Sequence, residues 1–230
     1  MKIKGYIETS LVDWDGKITS VIFLPGCNFK CVFCHNHKLV SGGGDLPDIP
    51  WGEIKKKLLC YKGWIDGVCI SGGEPAMNPE LSGLIEEIKT LGFLVKLDTN
   101  GAFPDLLKNL FGKNLIDYAA MDLKAPLDER YNIITQTNVD LSKIKESINL
   151  LLDGKIGYEF RTTLVPGYLG KEGLIAIAKE IKGAEKFVLQ NFNPYDTLDV
   201  NLKKVQPYTE TEMNEFKEAV EKYVRFSKVR

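Results

Sequence analysis

Short apolar segments rich in β-branched residues alternate along this chain with longer segments whose apolar residues recur at helical spacing. This alternation is typical of repeated strand–helix units on a parallel sheet. The sequence therefore predicts an α/β fold with six such units, as in a partial TIM-like barrel of six strands rather than eight. The predicted strands lie near residues 17–24, 66–71, 93–98, 117–123, 157–165 and 185–192. The predicted helices lie near residues 50–62, 78–91, 103–111, 139–153, 170–182 and 209–226.

The length and composition of the chain limit its organisation and its partners. With 230 residues, 44% of them hydrophobic, we expect one domain over residues 1–230. Residues 1–16 would be an N-terminal extension, and residues 205–230 a C-terminal helix packed on the barrel. The 30 Lys and Arg nearly balance the 31 Asp and Glu, which argues against nucleic acid as a partner. Neither a secretion signal nor a long apolar segment is present, so we expect a cytoplasmic protein with no membrane partner.

Three of the five cysteines form a Cys-x3-Cys-x2-Cys pattern at Cys27, Cys31 and Cys34, directly after an apolar segment. Three thiolates on one loop can hold three corners of a cubane iron–sulfur cluster, whereas clusters held by protein alone generally use four cysteines. The fourth iron would then have an open coordination position, which indicates catalysis rather than a structural role. A structural zinc site with His35 or His37 as the fourth ligand is the alternative from this loop alone.

Glycines and polar residues gather where the later predicted strands end, the place where barrel enzymes carry their chemistry. Two adjacent glycines let a ligand approach the backbone closely. Each segment also has an ordinary structural explanation: a turn, an Asp122–Lys124 ion pair, or a buried carboxylate partner for Arg161. The residues in question are Gly72, Gly73, Glu74, Asp98, Thr99, Asn100, Asp122, Lys124, Arg161 and Gln190.

The cysteine spacing, with Phe33 just before the third cysteine, resembles the signature of the radical S-adenosylmethionine (SAM) enzymes. The resemblance implies a 4Fe–4S cluster on the three cysteines and SAM chelated to the fourth iron. A Gly-Gly-Glu segment that begins 38 residues after Cys34 strengthens it and leaves the zinc alternative little weight. The triplet Cys34-His35-Asn36 and the segment Asp98–Gly101 are similar to those of the activating enzymes of glycyl-radical enzymes.

The resemblance also implies roles for the strand-end residues. The segment 72–74 would bind the amino group of SAM, and the segment 98–100 would face its ribose and carboxylate. Lys124 would neutralise the SAM carboxylate as a point charge, Arg161 would point into the site, and Gln190 would lie near the adenine. No side chain is required as an acid or base, because the cluster and SAM carry the chemistry.

A monovalent cation is a further expectation for this site. Asp98 and Asp122 could hold it jointly beside the SAM carboxylate, because carboxylate oxygens suit a hard ion. The competing account pairs Asp122 with Lys124 instead.

The segment 9–17 resembles the activating proteins of anaerobic (class III) ribonucleotide reductase, although Asp15 stands where that subgroup commonly has proline. The implied reaction is one-electron cleavage of SAM, with flavodoxin or ferredoxin as donor, that produces a glycyl radical on this large partner enzyme. An activating enzyme of the pyruvate formate-lyase type is an alternative. So is a radical SAM enzyme with a small-molecule substrate, such as a deazaguanine synthase. The non-enzymatic alternative is an iron–sulfur electron carrier or a zinc scaffold.

Overall fold

The computed structural model describes every residue from Met1 to Arg230, and it contains eight strands and eight α-helices. The strands are β1 (Gly5–Ser10), β2 (Thr19–Leu24), β3 (Gly67–Gly72), β4 (Leu94–Thr99), β5 (Tyr118–Asp122), β6 (Gly157–Leu164), β7 (Phe187–Asn191) and β8 (Ser227–Val229). The helices are α1 (His37–Val40), α2 (Trp51–Cys60), α3 (Leu81–Thr90), α4 (Pro104–Gly112), α5 (Glu129–Thr135), α6 (Leu141–Leu152), α7 (Lys171–Glu180) and α8 (Glu210–Glu221). All six predicted strands and all six predicted helices are present.

The chain divides into two compact units. The first unit consists of Met1–Asn28, Lys38–Thr99 and Asp105–Ala119. The second unit consists of Phe29–His37, Asn100–Pro104 and Ala120–Arg230. The organisation of residues 1–230 as a single domain stays a prediction.

In the first unit, β2, β3 and β4 are parallel neighbours, with Leu24 opposite Gly72 and Ile70 opposite Leu97. These strands are buried along most of their length, which explains why apolar residues follow one another in them without a polar residue at every second position. Because the strands are parallel and in register, the segments that follow β2 and β3 emerge side by side. Residues 1–16 include β1, which pairs antiparallel with β2. Because much of β1 is exposed, its sequence lacks the apolar pattern that predicts a strand.

In the second unit, β6, β7 and β8 are parallel, with Thr163 opposite Gln190. Helix α8 begins at a capping box formed by Thr209 and Glu212, as the sequence predicts. The helix ends at Glu221 rather than near 226, because the chain turns there to add β8 to the sheet. Residues 205–230 therefore hold a helix followed by a strand. None of the helices combines the length and hydrophobicity needed to cross a lipid bilayer.

Candidate functional site

The segment that follows β3 is locked against the end of β2 by two backbone hydrogen bonds. The Gly73 amide donates to the Leu24 carbonyl at 2.9 Å, and the Glu74 amide donates to the Gly26 carbonyl at 2.7 Å. A Cβ atom on Gly73 would lie 2.0 Å from the Gly26 oxygen, and one on Gly72 would lie 2.2 Å from the Leu24 oxygen. Gly72 also has a φ of 128°, which side chains rarely allow. Only glycine fits either position.

Cys27 lies at the start of the cysteine loop, next to this locked segment. The Gly26 amide donates to the Leu39 carbonyl at 2.8 Å, and the Cys27 amide donates to the Val40 carbonyl at 3.3 Å. Both acceptors belong to the short helix α1. The backbone of the first predicted cluster ligand is thus held on two sides, by the glycine pair and by α1.

Glu74 and Thr99 lie at the ends of adjacent strands and contact each other. Both are buried, and Glu74 Oε1 accepts from Thr99 Oγ1 at 2.9 Å and from the Ala76 amide at 3.0 Å. The side chain of Glu74 therefore links the ends of β3 and β4. The contribution of Glu74 to SAM binding stays a prediction. In the structure, its carboxylate holds the end of β3 against the end of β4.

Asp98, near the end of β4, is paired with a lysine from its own strand. Lys96 Nζ lies 2.6 Å from Asp98 Oδ1 and 4.0 Å from the Cys69 sulfur. Alternate residues of a strand share a face, so Lys96 lies one step deeper on the face that carries Asp98. The sequence analysis missed Lys96, although a Lys-x-Asp pattern inside an apolar strand was the available signal.

In the second unit, the part of the cysteine loop that carries Cys31 and Cys34 rests on α5. The Lys30 amide donates to the Thr135 carbonyl at 2.9 Å, and the Val32 amide donates to the Ile134 carbonyl at 3.1 Å. These residues form the C-terminal end of a helix that the sequence analysis did not predict. Helix α5 thus supports the segment between two predicted cluster ligands.

Asp122 at the end of β5 has two cationic partners. Arg161 Nε donates to Asp122 Oδ1 at 2.7 Å, and Lys124 Nζ donates to Oδ2 at 3.2 Å. Burial alone would raise the pKa of Asp122, but the two cations hold it well below its usual value. The structure brings together three of the predicted site residues, and the carboxylate stays ionised.

Lys124 also lies near the cysteine loop. Its Nζ atom is 5.8 Å from the centroid of the Phe33 ring. Burial would lower the pKa of Lys124, but the Asp122 carboxylate raises it above the usual value. Burial raises the pKa of the Cys34 thiol, and the charge of Lys124 opposes that shift. The positive charge of Lys124 therefore offsets only part of the shift that burial causes in the Cys34 thiol, whose thiolate is the form that binds metal.

The two histidines both contact Asp196, which follows β7. His35 Nδ1 lies 2.7 Å from the backbone oxygen of Asp196, and His37 Nε2 lies 2.9 Å from its carboxylate. No three His, Cys, Asp or Glu side chains of the chain converge as ligands of a single metal ion. The Cys3His zinc alternative stays a hypothesis that metal analysis tests.

The remaining predicted residues, Asn100 and Gln190, belong to the second unit. Asn100 Oδ1 accepts from the Ala102 amide at 3.0 Å, which forms a turn. Gln190 is half-buried in β7. Its neighbour Asn191 donates from Nδ2 to the Tyr208 carbonyl at 2.8 Å, while its buried Oδ1 atom has no partner.

Comparison with known proteins identifies the family. The model of the radical SAM superfamily matches residues 21–181. A protein of Methanocaldococcus jannaschii assigned to the glycyl-radical enzyme activating enzymes is 33% identical over 230 residues, covering 96% of this chain and 92% of its own length. The pyruvate formate-lyase-activating enzyme of Clostridium pasteurianum is 32% identical over 215 residues, covering 87% of this chain and 84% of its own.

Among solved structures, SuiB of Streptococcus suis bound to S-adenosylmethionine matches with a TM-score of 0.69 and 14% identity. The match covers 91% of this chain and 51% of SuiB, and at this identity it shows the fold alone. The α/β fold of the radical SAM type predicted from the sequence is confirmed. The chain is an enzyme that belongs to the radical SAM superfamily and, within it, to the glycyl-radical enzyme activating enzymes.

Proposed function

We propose that this enzyme cleaves SAM reductively and generates a glycyl radical on anaerobic (class III) ribonucleotide reductase. The observation that carries the activity is the 33% identity with an activating enzyme over 96% of the chain. The choice of reductase as partner rests on the segment 9–17 of the sequence. The cytoplasm stays the predicted location.

Membership of the superfamily implies a 4Fe–4S cluster and SAM, and the residues present fit both groups. Cys27, Cys31 and Cys34 would hold the cluster, with each thiolate on a different iron. The chemistry of the donor set agrees, since three thiols and no carboxylate share the loop. Gly72 and Gly73 let the end of β3 pack directly against the backbone of Leu24 and Gly26, which fixes the segment that would bind the amino group of SAM.

The arrangement around Asp122 suits Lys124 to bind the SAM carboxylate. Lys124 would have to leave Asp122, and a buried carboxylate without a partner is costly. Arg161 remains at 2.7 Å and keeps Asp122 neutralised. Lys124 can thus move from Asp122 to the SAM carboxylate while Arg161 still neutralises Asp122.

The protein's task in this proposal is binding, orientation and exclusion of water. A bound and reduced cluster would supply the one electron needed to cleave SAM into methionine and a deoxyadenosyl group. This group would take a hydrogen atom from the partner's glycine and leave as 5′-deoxyadenosine. Flavodoxin or ferredoxin would provide that electron. The monovalent cation is left out of the proposal, because Asp98 and Asp122 each have a cationic side chain as partner.

A decisive experiment is anaerobic reconstitution followed by electron paramagnetic resonance. The enzyme is loaded with iron and sulfide, reduced with dithionite and mixed with SAM and purified reductase. We expect about four irons per chain and a glycyl doublet on the reductase. A Cys31→Ala variant and a reductase without its radical glycine are the matched controls. Replacing dithionite with reduced flavodoxin or ferredoxin then tests the electron donor.

Pyruvate formate-lyase is the second candidate partner, favoured by the 32% identity with its activating enzyme over 87% of the chain. The same assay with this enzyme distinguishes the two. A signal on the lyase alone would replace the reductase as partner. Deoxyadenosine without any protein radical would indicate a small-molecule substrate, and zinc in place of iron would overturn the enzymatic proposal.

A further inference from the structure

Lys96 is a fully buried lysine in the middle of a strand. Its side chain is 0% exposed, whereas the side chain of its partner Asp98 is 11% exposed. Lysine is almost never fully buried unless it is paired. The pair is close, at 2.6 Å, and the second neighbour of the ammonium group is the sulfur of Cys69 at 4.0 Å.

We propose that Lys96 is a built-in cation that neutralises Asp98 from the closed side of the strand and holds it in place, so that this carboxylate needs no bound alkali metal ion as a partner. The proposal rests on the proposed function in one respect, namely that Asp98 faces SAM. Lys96 would act on SAM only through Asp98 and is therefore a positioning residue.

The geometry supports a fixed charge on the closed side of the carboxylate. Lys96 precedes Asp98 by two residues on the same face of β4, so it lies farther from the carboxyl end of the strand. Asp98 is the partially exposed member of the pair, and Lys96 is the sealed one. A carboxylate neutralised from the closed side can still accept hydrogen bonds from ligand hydroxyls on the open side. A tethered ammonium group, unlike a free ion, also cannot dissociate with the ligand.

The test substitutes the lysine and asks whether a small cation replaces it. Lys96→Met keeps the length of the side chain and removes the charge. Melting temperature is measured on the full-length protein in potassium chloride and in choline chloride at equal ionic strength, because choline is too large to enter a buried site. In choline we expect Lys96→Met to melt roughly 10 °C below the unsubstituted protein, since one buried charge has lost its partner.

Potassium should restore much of this loss in the variant, with a melting temperature that rises with the logarithm of ion concentration. The unsubstituted protein should melt at the same temperature in both salts. The matched control is Lys89→Met, which removes a lysine paired with Asp117 at 2.7 Å where both side chains are 28% exposed. This control should show only a small change and no specific response to potassium.

Two results would overturn the proposal. One is a potassium requirement in the unsubstituted protein, which can be measured even if Lys96→Met does not fold. The other is a Lys96→Met variant that folds but responds equally to potassium and choline. A Lys96→Met/Asp98→Asn double variant should lose the potassium response, because no carboxylate remains to bind the ion.

A second readout is SAM affinity, measured by calorimetry on the reconstituted enzyme. In choline, Lys96→Met should bind SAM at least tenfold more weakly, and potassium should restore the affinity. Absence of SAM binding in the unsubstituted enzyme would contradict the proposed function and leave the melting result intact. If potassium changes neither the melting temperature nor the SAM affinity of Lys96→Met, the role proposed for Lys96 is contradicted and the proposed function is not affected.

Discussion

Each unit of the molecule has a Lys–Asp pair at the end of a strand, and the two pairs differ in how far water reaches them. In the sealed pair, Lys96 is 0% and Asp98 11% exposed. In the open pair, Lys124 is 17% and Asp122 25% exposed, and Arg161 is a second cation on the same carboxylate. The same two residue types therefore suit different tasks: a fixed internal charge in one unit, and a cation that can change partners in the other.

Breaking the sealed pair should have the largest effect on stability. Asp98→Asn removes the carboxylate that lies 2.6 Å from the buried ammonium group of Lys96, and removal of one partner of a buried pair costs about 3–5 kcal/mol. We expect a loss of this size in the free energy of unfolding, measured by urea denaturation. A control with Lys96→Met added to Asp98→Asn should recover part of the loss, because neither charge then remains. If Asp98→Asn is as stable as the unsubstituted protein, the sealed pair does not stabilise the fold more than the open pair does.

Breaking the open pair should affect ligand binding more than folding. Lys124→Met leaves Asp122 paired with Arg161, so the free energy of unfolding should fall by only about 1–1.5 kcal/mol, less than for the sealed pair. SAM affinity should fall roughly 10–100-fold, the loss expected for a hydrogen bond between charged groups. Calorimetry on the reconstituted enzyme measures the affinity, and Lys89→Met is the control that should leave it unchanged. A large loss of stability with normal SAM affinity would reverse the roles of the two pairs.

The sequence predicted the repeating strands and helices because each is apolar at a regular period. It missed elements whose signal is weak or depends on distant residues. Strand β1 is largely exposed, and β8 has only three residues that become a strand by pairing with β7. Helix α5 is only seven residues long, and its boundaries depend on the Asp128 cap and the left-handed Gln136.

The strand-end positions of the candidate site residues followed from the sequence, which also offered the Asp122–Lys124 pair and a carboxylate partner for Arg161 as alternatives. The Lys96–Asp98 pair was not foreseen. Asp98 and Asp122 were expected to share a cation, whereas the structure gives each carboxylate its own cationic side chain. Lys96 was overlooked because a lysine in an alternating strand is generally a solvent-facing residue. Burial of a charged side chain depends on what covers the strand, which periodicity does not reveal.

The stabilisation that Asp122 gives to the open pair should depend on pH. The pKa of Asp122 is lowered in the folded state, so its stabilising contribution is complete above the unfolded value of about 3.9 and is lost as pH falls below it. The stability difference between the unsubstituted protein and Asp122→Asn should therefore be constant from about pH 7 to 5 and shrink below about pH 4. Urea denaturation at several pH values measures it. As a control, the same comparison in an Arg161→Met background should show a smaller total decline that levels off at a higher pH, because Arg161 lowers only the folded-state pKa and the onset is set by the unfolded value. A difference that grows on acidification in the otherwise unsubstituted protein would contradict the assignment.

The smallest effect is expected for a histidine–carboxylate contact on the outside of the molecule. His37 Nε2 contacts the Asp196 carboxylate at 2.9 Å, and the side chains are 24% and 63% exposed. Water screens such a pair, so His37→Ala should reduce the free energy of unfolding by no more than about 1 kcal/mol. His35→Ala, which removes a contact to the backbone of the same residue, is the matched control. If burial determines how much each pair stabilises the protein, the loss in the free energy of unfolding must decrease from Asp98→Asn through Lys124→Met to His37→Ala. A loss above about 2 kcal/mol for His37→Ala would show that burial does not set this order.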